Sequence, residues 1–179
     1  MSSALWYALK VRSRSEWAVA RNLQGKDYEV FLPTYLMKRR WSDRVISSEV
    51  PLFAGYLFCR FDVQRRLPIL ATPGVQLIVG SARVPEPVAD SEIQGIRLIV
   101  ESGNVYEPYP YLSVGAAIRI TEGPLAGLTG IALRIKSNFR LVASVHLLQR
   151  SVAVELDRAV VEPVAPARAD APLQKVVGI

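Results

Sequence analysis

One histidine, His146, and one cysteine, Cys59, are the only imidazole and thiol in 179 residues. Too few ligands remain for a Cys/His zinc cluster, and an internal disulfide is excluded. A lone cysteine fits a reducing, cytoplasmic compartment. Asp62, Asp90 and Glu92 are the candidate carboxylates, but no spacing pairs them for acid–base work. His146 has no second histidine, no Ser/Asp partner and no phosphate loop beside it. The expectation is therefore a protein that is not an enzyme and carries no cofactor. The chemistry left is that of binding.

Two stretches have the residue types for it. Val50-Pro-Leu-Phe-Ala-Gly-Tyr-Leu-Phe-Cys-Arg-Phe-Asp62 is punctuated by Pro51 and the Ala54-Gly55 pair, then alternates compactly. In an extended strand Tyr56, Phe58 and Arg60 share one face, and Leu57, Cys59 and Phe61 the other. Both faces are apolar, so this is a central strand covered on at least one side. The second stretch is basic. Residues 10 to 44 hold Lys10, Arg12, Arg14, Arg21, Lys26, Lys38, Arg39, Arg40 and Arg44 against four acids. The formal net charge of +6 is a mild signal for polyanions, and this clustering sharpens it. Phosphate contact would give affinity with weak sequence readout, and Trp41 could stack on an unpaired base.

The elements that must position these residues follow from local pattern. Leu5 to Arg12 reads as a first strand. Ser13 or Ser15 caps a helix running to about Gln24, with Trp17, Ala20, Arg21 and Leu23 as its stripe and Gly25 closing it. Tyr28 to Tyr35 is a strand interrupted by Pro33, and Lys38 to Ile46 a pair of edge strands turning at Ser42-Asp43. Asp62 caps a short helix through Leu70. Thr72-Pro-Gly-Val75 is a turn into a strand ending at Val79. Asp90 or Ser91 caps a helix with Ile93, Ile96, Ile99 and Val100 on one face. This is α+β with a mainly antiparallel sheet flanked by helices.

Glu101 to Ser113 changes character, with Gly103, Pro108, Pro110 and three tyrosines and no period. It reads as a linker between two domains. Beyond it come Ala117 to Thr121, Thr129 to Ile135, Leu141 to Leu147, Val152 to Leu156 and Ala159 to Val161. These short apolar runs suggest a small five-stranded barrel. From Pro163 the chain is rich in Ala, Pro and charge and reads as disordered. No apolar run reaches the length of a membrane span, and the N-terminus lacks the regions of a signal peptide.

Glu122-Gly-Pro-Leu-Ala-Gly-Leu-Thr-Gly130, between Ile118-Arg-Ile120 and a following apolar strand, is the most specific motif. Gly123, Gly127 and Gly130 permit backbone conformations closed to other residues, and Pro124 stiffens the turn. This loop resembles the KOW motif of the NusG family. Trp6-Tyr7, Pro51 to Phe58 and Thr72-Pro-Gly-Val75 resemble the amino-terminal domain of the same family, with Ala54 where a proline is common. The resemblance covers roughly residues 5 to 162. It implies an amino-terminal domain over 1–105, a linker over 106–113, an SH3-like KOW barrel over 114–163 and a tail over 164–179.

Family members are bacterial elongation factors that ride on RNA polymerase and modulate pausing, termination or antitermination. The resemblance implies that Phe53, Tyr56 and Phe58 dock on the clamp helices of the polymerase's largest subunit. Lys10, Arg12, Arg39, Arg40 and Trp41 would approach non-template DNA. Leu147, Leu148 and Arg150 match the loop that binds the termination factor Rho or a small-subunit ribosomal protein. Housekeeping members often carry phenylalanine where Leu148 stands, which weakens the case for Rho. The Pro51-to-Asp62 pattern looks more like the specialised branch that serves particular operons; a housekeeping factor coupling polymerase to Rho or the ribosome is the alternative. An RNA-recognition module is a further alternative, since Gly55 to Phe61 is similar to its aromatic strand. Ala54 and Leu57 depart from that pattern.

The protein is expected as a monomer whose barrel is tethered by a flexible linker and open for binding. In the RfaH-like branch the second domain can instead close as a helical hairpin. Leu141, Val145, Leu148 and Val152 follow helical spacing, but the many valines favour strands.

Overall fold

In a computed structural model, residues 4–41, 44–81, 84–111, 115, 117–135, 138–156 and 161–164 are described. β1 (Leu5–Val11) sits inside the first sheet, between β5 (Tyr56–Phe61) on one side and β6 (Val75–Ile78) on the other. The outer strand beyond β5 is β2 (Glu29–Phe31), and β9 (Pro87–Val88) also pairs with β1. β3 (Thr34–Trp41) and β4 (Arg44–Pro51) form a hairpin, as the basic stretch predicts. β7 (Gly80–Ser81) and β8 (Val84–Pro85) make a smaller one.

The expected alternation in β5 holds. Leu57, Cys59 and Phe61 pack on one face with Tyr7, Leu9 and Val11 of β1, under Val19, Ala20 and Leu23 of α1 (Glu16–Gln24) and Ile69 of α2 (Leu67–Leu70). Phe58 lies on the other face with Trp6 and Ala8, under Ile93, Ile96 and Ile99 of α3 (Asp90–Glu101). Full burial of an isoleucine such as Ile96 contributes about 1.5–3 kcal/mol. Arg97 ties α3 to the sheet edge. Its guanidinium stands 5.2 Å from the rings of both Trp6 and Phe31 and 3.0 Å from Glu29 Oε1.

The stripe of α1 departs from expectation. Trp17 and Arg21 point to solvent, and Glu16 and Val19 are buried in their place. Ser15 stands at the N-cap without a side-chain cap bond, whereas Asp62 does cap, accepting from the Gln64 amide at 2.9 Å.

The second sheet has the order β10-β14-β13-β12-β11-β15, built from β10 (Tyr106–Pro110), β11 (Ala117–Ile120), β12 (Thr129–Ile135), β13 (Asn138–Val145), β14 (Arg150–Leu156) and β15 (Val161–Pro163). All its pairings are antiparallel. The runs from Ala117, Thr129, Leu141 and Val152 form strands, although His146 and Leu147 leave the third for a 3-10 turn, and Leu141 to Val145 are not helical. Of the run expected at Ala159 to Val161, only Val161 lies among the described residues, and it opens β15. The sixth strand, β10, falls on residues expected as linker. Tyr106 to Pro110 pair with Val154 to Arg150 at the edge of the sheet, where the two prolines are tolerated. The tail expected from Pro163 starts later: Pro163 pairs with Ile118 and the Val164 amide donates to Ala117 O at 3.0 Å. Residues 165–179 lie outside the described residues, as does the turn at Ser42-Asp43.

The second sheet is not held away from the first. One continuous apolar cluster joins Trp6, Phe53, Phe58, Ile93 and Ile96 to Ile118, Leu125, Leu128, Leu141, Val145 and Val154. The expectation of an open, tethered second domain is overturned here. Burying that shared apolar surface outweighs the freedom of a loose linker.

Candidate functional site

The aromatic anchors sit around one turn. The Tyr56 amide donates to Phe53 O at 2.9 Å, and Gly55 takes φ +81 at the third turn position. That geometry fits a type II turn, whose second position favours proline and here holds Ala54. Glu16, which is 5% exposed, reaches across from α1 and accepts the Gly55 amide at 2.9 Å. Val11 donates to Gly55 O at 2.9 Å, so β1 and α1 together fix where Tyr56 emerges.

The three anchors do not share one exposure. Phe53 is 1% and Phe58 0% exposed, and they meet edge-to-face with centroids 5.9 Å apart. Phe58 also stacks with Phe31 at 6.1 Å. Both are core residues in this arrangement, which corrects their reading as surface anchors. The strand alternation that places Phe58 opposite Leu57 also carries it beneath α3 and the second sheet. Tyr56 is half-buried, and the Arg150 guanidinium stands 5.8 Å from its ring.

Arg150 belongs to the loop expected to bind partners. His146 to Leu148 form a single 3-10 turn, and Gln149 takes φ +50 to enter β14. Leu147 and Leu148 are half-buried against the shared cluster. His146 Nδ1 lies 2.5 Å from Glu92 Oε1 on α3, and its ring meets Tyr111 edge-on at 5.9 Å. One contact joins the two sets of predicted binding residues: Arg150 of the second unit stands over Tyr56 of the first.

The predicted nucleic-acid residues fall in two places, beside the Tyr56 turn on β1 and at the tip of the β3–β4 hairpin. Lys10 is exposed on β1 opposite Tyr56, and Arg12 is exposed just beyond, its amide donating to Gly74 O at 2.9 Å. Arg39, Arg40 and Trp41 fall at the tip of the β3–β4 hairpin, with side chains outside the described residues. Among the described residues no group of His, Cys, Asp and Glu could hold a metal ion, and no helix is long and apolar enough to cross a membrane. Burial pushes the Cys59 thiol up to about 12, with Glu29 adding to the shift, so it is a poor nucleophile.

The glycine-rich loop closes as its motif predicts, with one amendment. Gly123 and Gly127 take φ +87 and +88, and Leu125 and Leu128 tuck into the cluster. Gly130 needs no unusual backbone. A Cβ there would stand 2.5 Å from Val142 O, so its role is close strand packing.

Sequence reasoning missed Glu16 as a brace for the turn, Arg97 as the clamp on α3, and Glu92 and Tyr106 as contacts between the units. Their partners lie far off in the chain and leave no mark in the local sequence, so only the fold reveals them.

Comparison with known proteins agrees with these features. The family described as transcription termination factor NusG matches residues 4–97, just over half of the chain. The NusG protein of Campylobacter jejuni, a transcription termination/antitermination protein, is 29% identical over 170 residues, covering 87% of this chain and 95% of that one. The Thermus thermophilus relative is 27% identical over 173 residues, covering 85% and 94%. A solved structure of Thermotoga maritima NusG, described as showing a domain interaction, aligns with a TM-score of 0.56 at 21% identity, over 90% of this chain and 98% of that one. The alternating aromatic strand, the braced turn and the helices over both faces of one sheet define an α/β protein with antiparallel sheets and few helices. The chain belongs to the NusG family of transcription termination and antitermination proteins.

Proposed function

We propose that this protein binds RNA polymerase through the turn face around Tyr56 and modulates pausing, termination or antitermination, with particular operons as its targets. The observation that carries this reading is the family match across the first unit, which includes that turn. The second sheet is read as a KOW barrel of the SH3-like kind, because the glycine loop 122–130 joins β11 to β12. Its loop 146–150 takes a ribosomal protein or Rho. Lys10, Arg12, Arg39, Arg40 and Trp41 follow non-template DNA through phosphates and stacking. The preference for a specialised role rests on the Pro51-to-Asp62 pattern; a housekeeping role is the alternative.

On this reading, Arg150 over Tyr56 lets each binding surface cover part of the other while the units are packed together. Polymerase and the second partner each require the units to separate, so each should favour the other's binding.

Co-purification with RNA polymerase, followed by mapping of occupied genes, tests the reading. Tyr56→Ala is the informative variant, because a half-exposed side chain can be removed without opening a core cavity. Loss of co-purification with an unchanged melting temperature is expected; wild-type yield would remove Tyr56 from the docking surface. Arg39→Ala with Arg40→Ala should leave co-purification intact while flattening the salt dependence of DNA association. Tight binding to free single-stranded RNA without polymerase would favour the RNA-module alternative.

A further inference from the structure

The boundary between the two units is sharper than the composition of residues 101–113 suggests. Ser102 still belongs to α3, its hydroxyl donating to Ile99 O at 2.8 Å. Asn104 already belongs to the second sheet, its side-chain amide donating to Glu155 O at 3.0 Å. Val105 O accepts from the Glu155 amide at 2.9 Å, and β10 then continues the ladder to Pro110. Between them stands Gly103, exposed, with φ +74 and nothing within 4 Å of where a Cβ would be. The bond that spans it is local: the Asn104 amide donates to Ser102 Oγ at 3.1 Å.

We propose that Gly103 is the pivot on which the second unit swings away from the first, and that β10 travels with the second sheet rather than unravelling into a tether. The inference rests on the proposed function, in which separation exposes the binding surfaces, and names how that separation happens.

The reason is a difference in what each route breaks. Both lose the shared apolar cluster, the His146–Glu92 pair and the bond from the Tyr106 hydroxyl to Thr34 O at 2.6 Å. Only unravelling also loses the β10–β14 ladder and the ion pair between Arg140 and Glu107. Arg140 holds Glu155 as well, at 2.7 Å, and these two carboxylates raise its pKa. Swinging keeps that network whole, and a glycine with open space around it absorbs the rotation. The consequence is reach. An extended tether gains about 3.3–3.6 Å per residue, whereas a single-residue pivot keeps the second unit beside the first.

Gly95 supplies the means to force separation. It sits on α3, and a Cβ there would lie 3.1 Å from Leu128 Cδ1 of the second unit. Gly95→Phe in the full chain therefore wedges the units apart without cutting either sheet. Spin labels at Trp17→Cys and Arg119→Cys, both exposed, report the distance between units, and hydrogen exchange reports residues 104–110. The expected result is a longer, broader distance distribution with exchange at 104–110 as slow as in the parent. A disulfide between Glu107→Cys and Ala153→Cys, which are cross-strand partners, should leave that wedge-induced distribution unchanged. Exchange at 104–110 accelerating together with the distance change would overturn the pivot, as would a disulfide that restores the packed distance. An unchanged distance in Gly95→Phe would overturn it too, since no swing would exist. None of these readouts involves polymerase, so loss of polymerase binding and loss of the pivot are distinguishable.

Discussion

The two faces of the first sheet are equally apolar and are covered by different means. On one, Leu9, Leu57, Cys59 and Phe61 lie under α1 and α2, segments of the same unit. On the other, Trp6, Ala8 and Phe58 lie under α3, and the cluster then runs on into Leu128, Leu141, Val145 and Val154 of the second sheet. The first cover cannot leave without unfolding; in the proposed swing, part of the second does. Adjacent residues of one strand, Leu57 and Phe58, are both fully buried, yet one belongs to a core within the first unit and the other to a core shared with the second.

The largest expected effects test whether that distinction is one of degree. Leu57→Ala should destabilise by about 2–5 kcal/mol and Phe58→Ala by about 3–5 kcal/mol, read as shifts of the urea midpoint. Comparable losses would mean that α3 alone makes the second face a true core. A loss below about 1 kcal/mol for Phe58→Ala would mean that its burial depends on the second unit.

Within the second unit the contrast lies between two glycines of one motif. Gly130→Ala should cost about 1–3 kcal/mol, because the new methyl meets the β13 backbone. Gly123→Ala should cost about 1–2 kcal/mol, through backbone conformation alone, since its Cβ would meet nothing within 4 Å. Thermal unfolding of both variants checks the order. A smaller loss at Gly130 would show that β12 can shift away from Val142.

At the seam, Tyr106→Phe removes the hydroxyl bond to Thr34 O and keeps the ring. A loss of about 0.5–1.5 kcal/mol is expected, seen as a larger separated population in the labelled chain rather than as unfolding. An unchanged population would assign the seam to apolar contact alone.

Much of this was legible beforehand for a physical reason. Period-two alternation is a local property, so the faces of Tyr56 to Phe61 and the strands β11 to β14 follow from the chain itself. The glycine loop is legible because its turns demand residues without a Cβ. What alternation does not state is which apolar face another unit will cover. Phe53 and Phe58 therefore read equally well as anchors or as core. Residues 106–110 failed for a related reason. Pro108 and Pro110 argue against a central strand, but β10 lies at the end of its sheet, where a missing N–H donor is tolerated. The Trp17 stripe failed because Glu16 is drawn inward by the Gly55 amide, a partner 39 residues away.

The smallest expected effect probes the permanent face during separation. Cys59 lies beneath α1, fully buried, between Tyr7 of β1 and Val30 of β2 as strand neighbours. If swinging removes only the second cover, Gly95→Phe should leave Cys59 as slow to react with a thiol reagent as in the parent chain. Fast labelling would mean that separation loosens the first sheet itself, and the contrast between the faces would collapse. The same thiol offers a second check through pH. Its folded pKa, pushed up to about 12, is above the unfolded value of about 8.5. The folded state therefore holds its proton where the unfolded state releases it. This contribution is present below about pH 8.5 and declines as pH rises toward the folded value. Between pH 8.5 and 10 stability should fall with a slope approaching about 1.4 kcal/mol per pH unit from this group. Cys59→Ala should flatten that slope, and Gly95→Phe should keep it. A wedge variant that also flattens it would place water at Cys59 and show that the two faces open together.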